Sequence, residues 1–332
     1  MGSEKQSSKK RVLILIAVIL VLAIIAVLAL WIVKRFDEKE DGANGGAYVF
    51  NYGEITYKGE TYTLNKDVDT ILVMGLDNEQ DVSDDSYNNT TKADFVMLCV
   101  FDSSSGKCHA INFNRDTITD VPHLGIGGQE TTTVRQQLAL AFTQGSGQKD
   151  SCLNVQKAVK NLYDGIVINN YIAFNMEAVP IINDAVGGVT VTIEDDFGTT
   201  DPTLKKGETV TLKGKSALNY VRQRKGLEDS SNLNRIARQQ KYLEALFKKA
   251  KESAQSNKNL STDTLLKLND YMQSSCSATK LNQVANDFTQ YEFEIWQLPG
   301  ESKKGEQFME FYCDEDALQS KIIELLYKKR EQ

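Results

Sequence analysis

The sequence is poor in the residues that hold soft metals. Among 332 residues there are only two histidines and five cysteines, and no cysteine pair has C-x-x-C spacing. A zinc site is therefore not expected. The five thiols (Cys99, Cys108, Cys152, Cys276, Cys313) leave at least one unpaired in a monomer. A Cys276–Cys313 disulfide is open to a chain outside the cytoplasm, but buried free thiols are the expectation. The chain also lacks a G-x-x-x-x-G-K-[ST] loop, a G-x-G-x-x-G turn, a G-x-S-x-G elbow and an H-E-x-x-H helix. These absences remove P-loop nucleotide hydrolysis, dinucleotide chemistry, nucleophile-elbow hydrolysis and zincin proteolysis. Net basic charge is missing too: the formal charge is -7. That argues against nucleic acid as a partner. No internal repeat and no composition break divides the part of the chain after residue 47.

Against this acidic background one stretch reverses sign. From Lys213 to Gln240 there are seven Lys or Arg against two acids. Guanidinium groups present forked donors that match phosphate oxygens two at a time, so an anionic ligand is expected here. If residues 220–224 are extended, Tyr220, Arg222 and Arg224 share one face. If the chain is helical from Asn232, Arg235, Arg238 and Gln239 share another.

Residues 12–33 carry no charge and are nearly all Val, Ile, Leu or Ala. As a helix they span about 33 Å, against about 30 Å for a bilayer's hydrocarbon core. Trp31, Lys34 and Arg35 follow as interfacial anchors, so an uncleaved transmembrane helix is expected. Lys5, Lys9, Lys10 and Arg11 precede it, whereas the basic residues after it are diluted by acids. The positive-inside rule then makes residues 1–11 cytoplasmic and places the rest outside, as a single-pass protein of the cell membrane. Residues 34–47 read as a charged, Gly-rich tether, and 48–332 as one domain.

Within that domain, residues 55–64 read as a hairpin about Lys58-Gly59. Strands are expected at 70–75, 94–102, 108–113, 167–174, 188–193, 209–212, 293–298 and 308–313. Helices are expected at 131–143, 153–163, 176–186, 232–256, 262–273, 280–291 and 317–328. The alternation predicts an α/β fold, a mixed sheet with helices on both faces. Asp77, Asp94 beside Lys92, and Arg115 with Asp116 all fall at strand ends, where ligand sites of such sheets gather. Two carboxylates with phosphate oxygens and water suit Mg²⁺.

The blocks G-L-D (75–77), K-A-D-F (92–95), N-R-D-T (114–117), A-V-G-G-V-T-V (185–191), G-x-x-A-L-x-Y-x-R-x-R (214–224) and R-x-x-R-Q-Q (235–240) resemble the LytR-CpsA-Psr family, over roughly residues 70–246. The resemblance implies a phosphotransferase that moves an anionic glycopolymer, such as a teichoic acid or capsular polysaccharide, from a polyprenyl-diphosphate carrier to a peptidoglycan hydroxyl. It implies that Asp77 and Asp94 hold Mg²⁺. Arg115, Arg222, Arg224 and Arg235 would surround the diphosphate, with Lys92 and Gln239 supporting. Arg115, Arg222, Arg224 and Asp94 would carry the catalysis. An apolar groove for the lipid is expected from residues 134–142 and 179–186. Two positions depart from the family. Lys92 stands where Arg is usual, keeping the charge but losing the fork. Asn232 stands where Asp is usual, and an amide cannot act as a base. Glu228, Asp229 or Asp94 are then the candidates for that role. The alternatives are a polyprenyl-phosphate-binding or scaffold protein without chemistry, and a polyprenyl-diphosphate hydrolase.

Overall fold

The computed structural model describes residues 54–78, 89–125, 128–198, 200–224, 227, 232–306 and 308–330. The expected membrane helix and tether lie outside these residues, as do Lys225, Glu228 and Asp229. No described helix is long and apolar enough to cross a membrane.

A hairpin comes first, β1 (Glu54–Tyr57) and β2 (Glu60–Leu64). Lys58 and Gly59 turn it with φ of +49° and +81°. Two left-handed residues match the twist of the flanking strands, as the dipeptide predicts. Three strands follow: β3 (Val68–Leu76), β4 (Ala93–Asp102) and β5 (Lys107–Phe113). They pair antiparallel in sequence. Next come β6 (Ile118–Leu124) and β7 (Glu130–Gln137), which form a separate ribbon and lead into a 3₁₀ segment, Leu138–Gln144.

The expected helix at 131–143 is thus corrected. Thr131, Thr132, Thr133 and Val134 are β-branched and favour a strand, and only the apolar Leu138–Phe142 run coils. Strand β6 was not anticipated because Pro122 interrupts it. A two-stranded ribbon has an open edge where a missing N–H costs nothing.

The middle of the chain supplies α1 (Lys149–Lys160), β8 (Asn170–Phe174), α2 (Ala178–Ala185), β9 (Thr190–Thr192), β10 (Thr209–Thr211) and α3 (Lys215–Arg222). The last of these overturns the extended reading of residues 220–224. Ala217, Leu218, Tyr220 and Val221 are buried at i, i+1, i+3 and i+4, the stripe of a helix rather than a strand. Arg222 ends the helix, and Tyr220 points into the core beside Phe197.

The remaining elements are α4 (Asn232–Ser256), α5 (Leu260–Leu268), β11 (Met272–Ser274), α6 (Ala278–Gln290), β12 (Glu292–Gln297), β13 (Gly300–Lys304), β14 (Met309–Cys313), α7 (Glu315–Leu326) and β15 (Tyr327–Lys329). The expected helix at 262–273 stops at Leu268, and its last residues become the edge strand β11.

The main sheet has the order β11-β8-β3-β4-β5-β12, with β8 parallel to β3 and β12 parallel to β5. It is a mixed sheet, and both faces are covered. Alternate residues such as Leu72, Leu98 and Ile111 pack with Val155 of α1 and Ile322 of α7. Their neighbours Ile71, Met97, Cys99 and Ala110 pack on the other face with Leu243 of α4 and Val284 of α6. Cys276 joins this second face and Cys313 the first. A disulfide between them is thereby excluded, and all five cysteines are free.

A third cluster packs α2, α3 and the β9–β10 hairpin against α4. Arg238 pins it. This side chain is 2% exposed; it donates to the carbonyls of Tyr220, at 2.9 Å, and Gln223, and pairs with Asp195 at 2.8 Å. It holds the end of α3 against α4 and is a structural arginine. Arg238→Ala removes the cation from the buried Asp195 carboxylate, which keeps only a neutral donor in the Asn234 amide, and the donors from two carbonyls. It is expected to cost about 3–5 kcal/mol in urea unfolding. Leu266→Ala, at an exposed position, should stay within about 0.5 kcal/mol of the parent.

Candidate functional site

Three strand termini meet at one end of the main sheet. Because β3, β4 and β5 run antiparallel in turn, the end of β3, the start of β4 and the end of β5 coincide. The β4–β5 register pairs Val96 with Phe113. Carried two residues further, it sets Asp94 opposite Arg115. The two form an ion pair, Arg115 Nη1 donating to Asp94 Oδ1. Arg235, from the first turns of α4, donates Nη1 to Asp94 Oδ2 at 3.1 Å. One carboxylate therefore gathers two guanidiniums separated by 120 positions of sequence.

Local turns aim these groups. A register shift between Gly75 and Leu76 bends the end of β3. Asp77 then accepts the Lys92 N–H at 2.6 Å, and its own N–H bonds the Lys92 carbonyl at 3.0 Å. Burial raises the Asp77 carboxyl above its ordinary range, and the nearby Asp94 charge adds to this. Lys92 and Arg115 act on Asp77 in the opposite sense. After β5, Asn114 Oδ1 accepts the Asp116 N–H at 3.0 Å, an Asx turn that presents Arg115 and Asp116 side by side.

Asp116 is 9% exposed, and burial raises its carboxyl as well, opposed by Arg115, Arg235 and Arg224. Gln137 Nε2 donates to its Oδ1 at 2.9 Å, and Asn232 Nδ2 to its Oδ2 at 2.9 Å. Asn232 Nδ2 also meets Asn114 Oδ1 at 3.0 Å, while its Oδ1 accepts from Arg235 Nη2 at 2.7 Å. Arg235 is 6% exposed, and burial lowers its proton affinity, countered by Asp94. It stays protonated even so. The Nε atoms of Arg115 and Arg235 are buried without a hydrogen-bond partner among the described residues. Such donors are suited to an anion rather than to the protein alone.

Beside this cluster a cavity of about 310 Å³ opens between the second face of the sheet and α2, α4, α5 and α6. The sheet contributes Val73, Phe95 and Phe174; the helices contribute Ile182, Phe247 and Phe288, among others. Asp94, Arg222, Arg235 and Gln239 also border it. Gln239 Nε2 donates to the Val221 carbonyl at 3.2 Å, linking α4 to the end of α3 where Arg222 stands. The cavity is apolar along its walls and charged where it meets Asp94.

Asp77, Lys92, Asp94, Arg115, Arg222, Arg235 and Gln239 are thus brought together, and Arg224 is close enough to act on Asp116 and Arg235. Of the two expected groove segments, residues 179–186 line the cavity and residues 134–142 do not. The latter belong to β7 and the 3₁₀ segment, and Leu138, Ala141 and Phe142 pack on the opposite face of the sheet. Gln137 and Asp195, partners of Asp116 and Arg238, were not foreseen. Neither lies in a motif, and only the folded contacts show their use. Among the described residues no three His, Cys, Asp or Glu side chains gather to hold a metal.

Comparison with known proteins agrees with this architecture. A polyisoprenyl-teichoic acid–peptidoglycan teichoic acid transferase, TagU, of Oceanobacillus iheyensis is 30% identical over 56% of this chain and 52% of its own length. The chain thus spans about half of that relative. The protein of the same name from Bacillus mycoides is 24% identical over 85% of this chain and 91% of its own. The solved structure of TagT bound to LI-WTA superposes with a TM-score of 0.58 at 23% identity, covering 78% of this chain and 90% of that one. The family model described as LytR_cpsA_psr matches residues 41–325, and the chain belongs to that family.

Proposed function

We propose that the protein is a phosphotransferase that moves an anionic glycopolymer from a polyprenyl-diphosphate carrier to a sugar hydroxyl of peptidoglycan. The observation that carries this reading is the junction of an arginine cluster with an apolar cavity. A lipid-borne diphosphate is bipartite in the same way: an anionic headgroup on a hydrocarbon chain. The headgroup would meet Arg115, Arg222, Arg224 and Arg235, with Lys92 and Gln239 near by, and the first isoprene units would fill the cavity. The names of the TagU relatives support the same substrates. Residues 12–33 would anchor the chain in the cell membrane, with the domain described here outside.

Breaking a phosphoanhydride requires charge to be neutralised on the transferred phosphoryl group and on the departing lipid phosphate. Preorganised arginines do this without covalent participation by the protein. Asp77 and Asp94 offer hard oxygen donors and lie within electrostatic reach of each other. With so few protein ligands, phosphate oxygens and water would complete the shell, which is the habit of Mg²⁺. Bound there, Mg²⁺ would supply further neutralisation of phosphate charge. Lys92 and Asn232 motivate a second reading, a lipid-binding protein without chemistry.

The test incubates the purified chain with a polyprenyl-diphosphate-linked oligosaccharide, a soluble peptidoglycan oligomer and Mg²⁺. Sugar–peptidoglycan conjugate and polyprenyl monophosphate are expected together, and chelation of Mg²⁺ should suppress both. Monophosphate without peptidoglycan would make the protein a hydrolase; lipid binding without either product would make it a binder. Arg115→Ala and Arg222→Ala should each lower the rate by about 10²–10³, and undiminished transfer in both overturns the proposal.

Asp77→Asn should lose transfer yet melt at a higher temperature than the parent at neutral pH. The sign follows from burial: a carboxyl raised above its unfolded value destabilises the fold once ionised, so stability falls as pH rises through the folded pKa. The margin should close toward about pH 4, where the unfolded carboxyl is itself protonated.

A further inference from the structure

We propose that Asp116 takes the proton from the attacking sugar hydroxyl, and that Asn232 is a positioning residue that holds Asp116 for this task. The inference rests on the transferase reading above and names the group that reading leaves open.

Asn232 is an amide and cannot accept the proton. Its hydrogen bonds show what it does instead. The Nδ2 end faces Asp116 Oδ2 at 2.9 Å, and the Oδ1 end faces Arg235 Nη2 at 2.7 Å. Donor meets carboxylate and acceptor meets guanidinium, so the amide joins Asp116 to the arginine cluster in one orientation. A carboxylate at position 232 would face Asp116 as a like charge.

Asp94 fails as the base on two counts. Each of its oxygens already accepts a guanidinium, Arg115 on one and Arg235 on the other. A proton arriving on either oxygen would have to displace one of these two guanidiniums, both of which are needed for the diphosphate. Asp94 also borders the mouth of the apolar cavity, the side from which the departing lipid phosphate would be carried off on its chain. In-line displacement puts the attacking oxygen opposite the leaving one. The base must therefore stand beyond the arginines, away from the lipid. Arg115, Asp116 and Asn232 are not part of the cavity wall, and Arg115 Nε lies 3.4 Å from Asp116 Oδ1. Asp77 is held by the Lys92 N–H at 2.6 Å and is the expected Mg²⁺ ligand.

Asp116 is fixed from three further directions. Gln137 Nε2 donates to Oδ1, Asn114 Oδ1 accepts its N–H, and Phe311 N–H bonds its carbonyl at 2.9 Å. Each carboxylate oxygen can accept more than one hydrogen bond. Burial, which raises this carboxyl, favours uptake of a proton. In the step itself, the hydroxyl oxygen bonds to the phosphorus that carries the glycopolymer. The bond from that phosphorus to the bridging oxygen breaks. Its electron pair leaves on polyprenyl monophosphate, and the hydroxyl proton moves to Asp116.

The experiment uses the full chain with the lipid-linked oligosaccharide and the soluble peptidoglycan oligomer. Asp116→Asn should lower kcat by about 10²–10⁴, with KM for the lipid close to that of the parent. Asn232→Ala should lower kcat in the same direction with KM for the lipid unchanged. The double variant should lose no more than about threefold beyond Asp116→Asn alone, because Asn232 acts through Asp116. An Asp116→Asn chain within threefold of the parental kcat overturns the proposal, as do losses that multiply in the double variant. Should Asp116→Asn not fold, parental kcat in Asn232→Ala overturns it instead. A parent that binds the lipid but transfers nothing sinks the transferase reading and this proposal with it. Variants that match an active parent sink this proposal alone.

Discussion

The Asp94 carboxylate holds the site together. It takes Arg115 from the end of β5 on one oxygen and Arg235 from α4 on the other. Without it two half-buried or buried guanidiniums would repel each other across a low-dielectric gap. With it they are held close while one positive charge in the trio stays uncompensated. Burying such a group costs solvation that the ion pairs only partly return. A protein retains an arrangement of this kind where stored positive potential is useful, and a diphosphate would use it. The same contact ties the sheet to the helix that walls the cavity, so the arginine cluster and the apolar cavity share one joint.

Much of this was legible because the relevant signals are local. The strand ends at Asp77, Asp94 and Arg115 follow from apolar runs that stop at a charged residue. Their meeting follows from antiparallel order, since Asp94 and Arg115 are equidistant from the Val96–Phe113 pair. Helix α4 has the extent expected for it, Asn232–Ser256. The misreadings came where two periods compete. Residues 220–224 carry arginines two apart, which suggests a strand, yet the buried stripe Ala217, Leu218, Tyr220, Val221 is helical. Residues 131–143 hold a Thr-rich strand fused to an apolar coil, so no one period describes them. The roles within the R-x-x-R-Q-Q block were also beyond sequence. Arg235 and Arg238 are three apart on one helix, but one faces Asp94 and the other is sealed against Asp195. Only the neighbours of α4 decide which arginine is structural.

The two substitutions against the family pattern differ in physical weight. Lys92 exchanges a planar fork for a point charge, and its backbone, not its side chain, makes the contact to Asp77. The turn therefore survives the exchange intact. Asn232 exchanges a charge for a dipole at the centre of a hydrogen-bond chain that runs from Gln137 through Asp116 to Arg235. There the acceptor Asp116 and the donor Arg235 fix the amide's orientation.

Strand β15 pairs with β2, closing a small three-stranded sheet from residues at opposite ends of the described chain. The edge strand β12 likewise reaches back nearly 190 positions to β5. During synthesis, then, β5 waits for β12 and β2 waits for β15 before either pairing can form. Contacts that span so much sequence close slowly, because the loop entropy is lost before the strands reward it. A nascent chain of this protein carries the edges of β2 and β5 unpaired until β15 and β12 arrive to cover them.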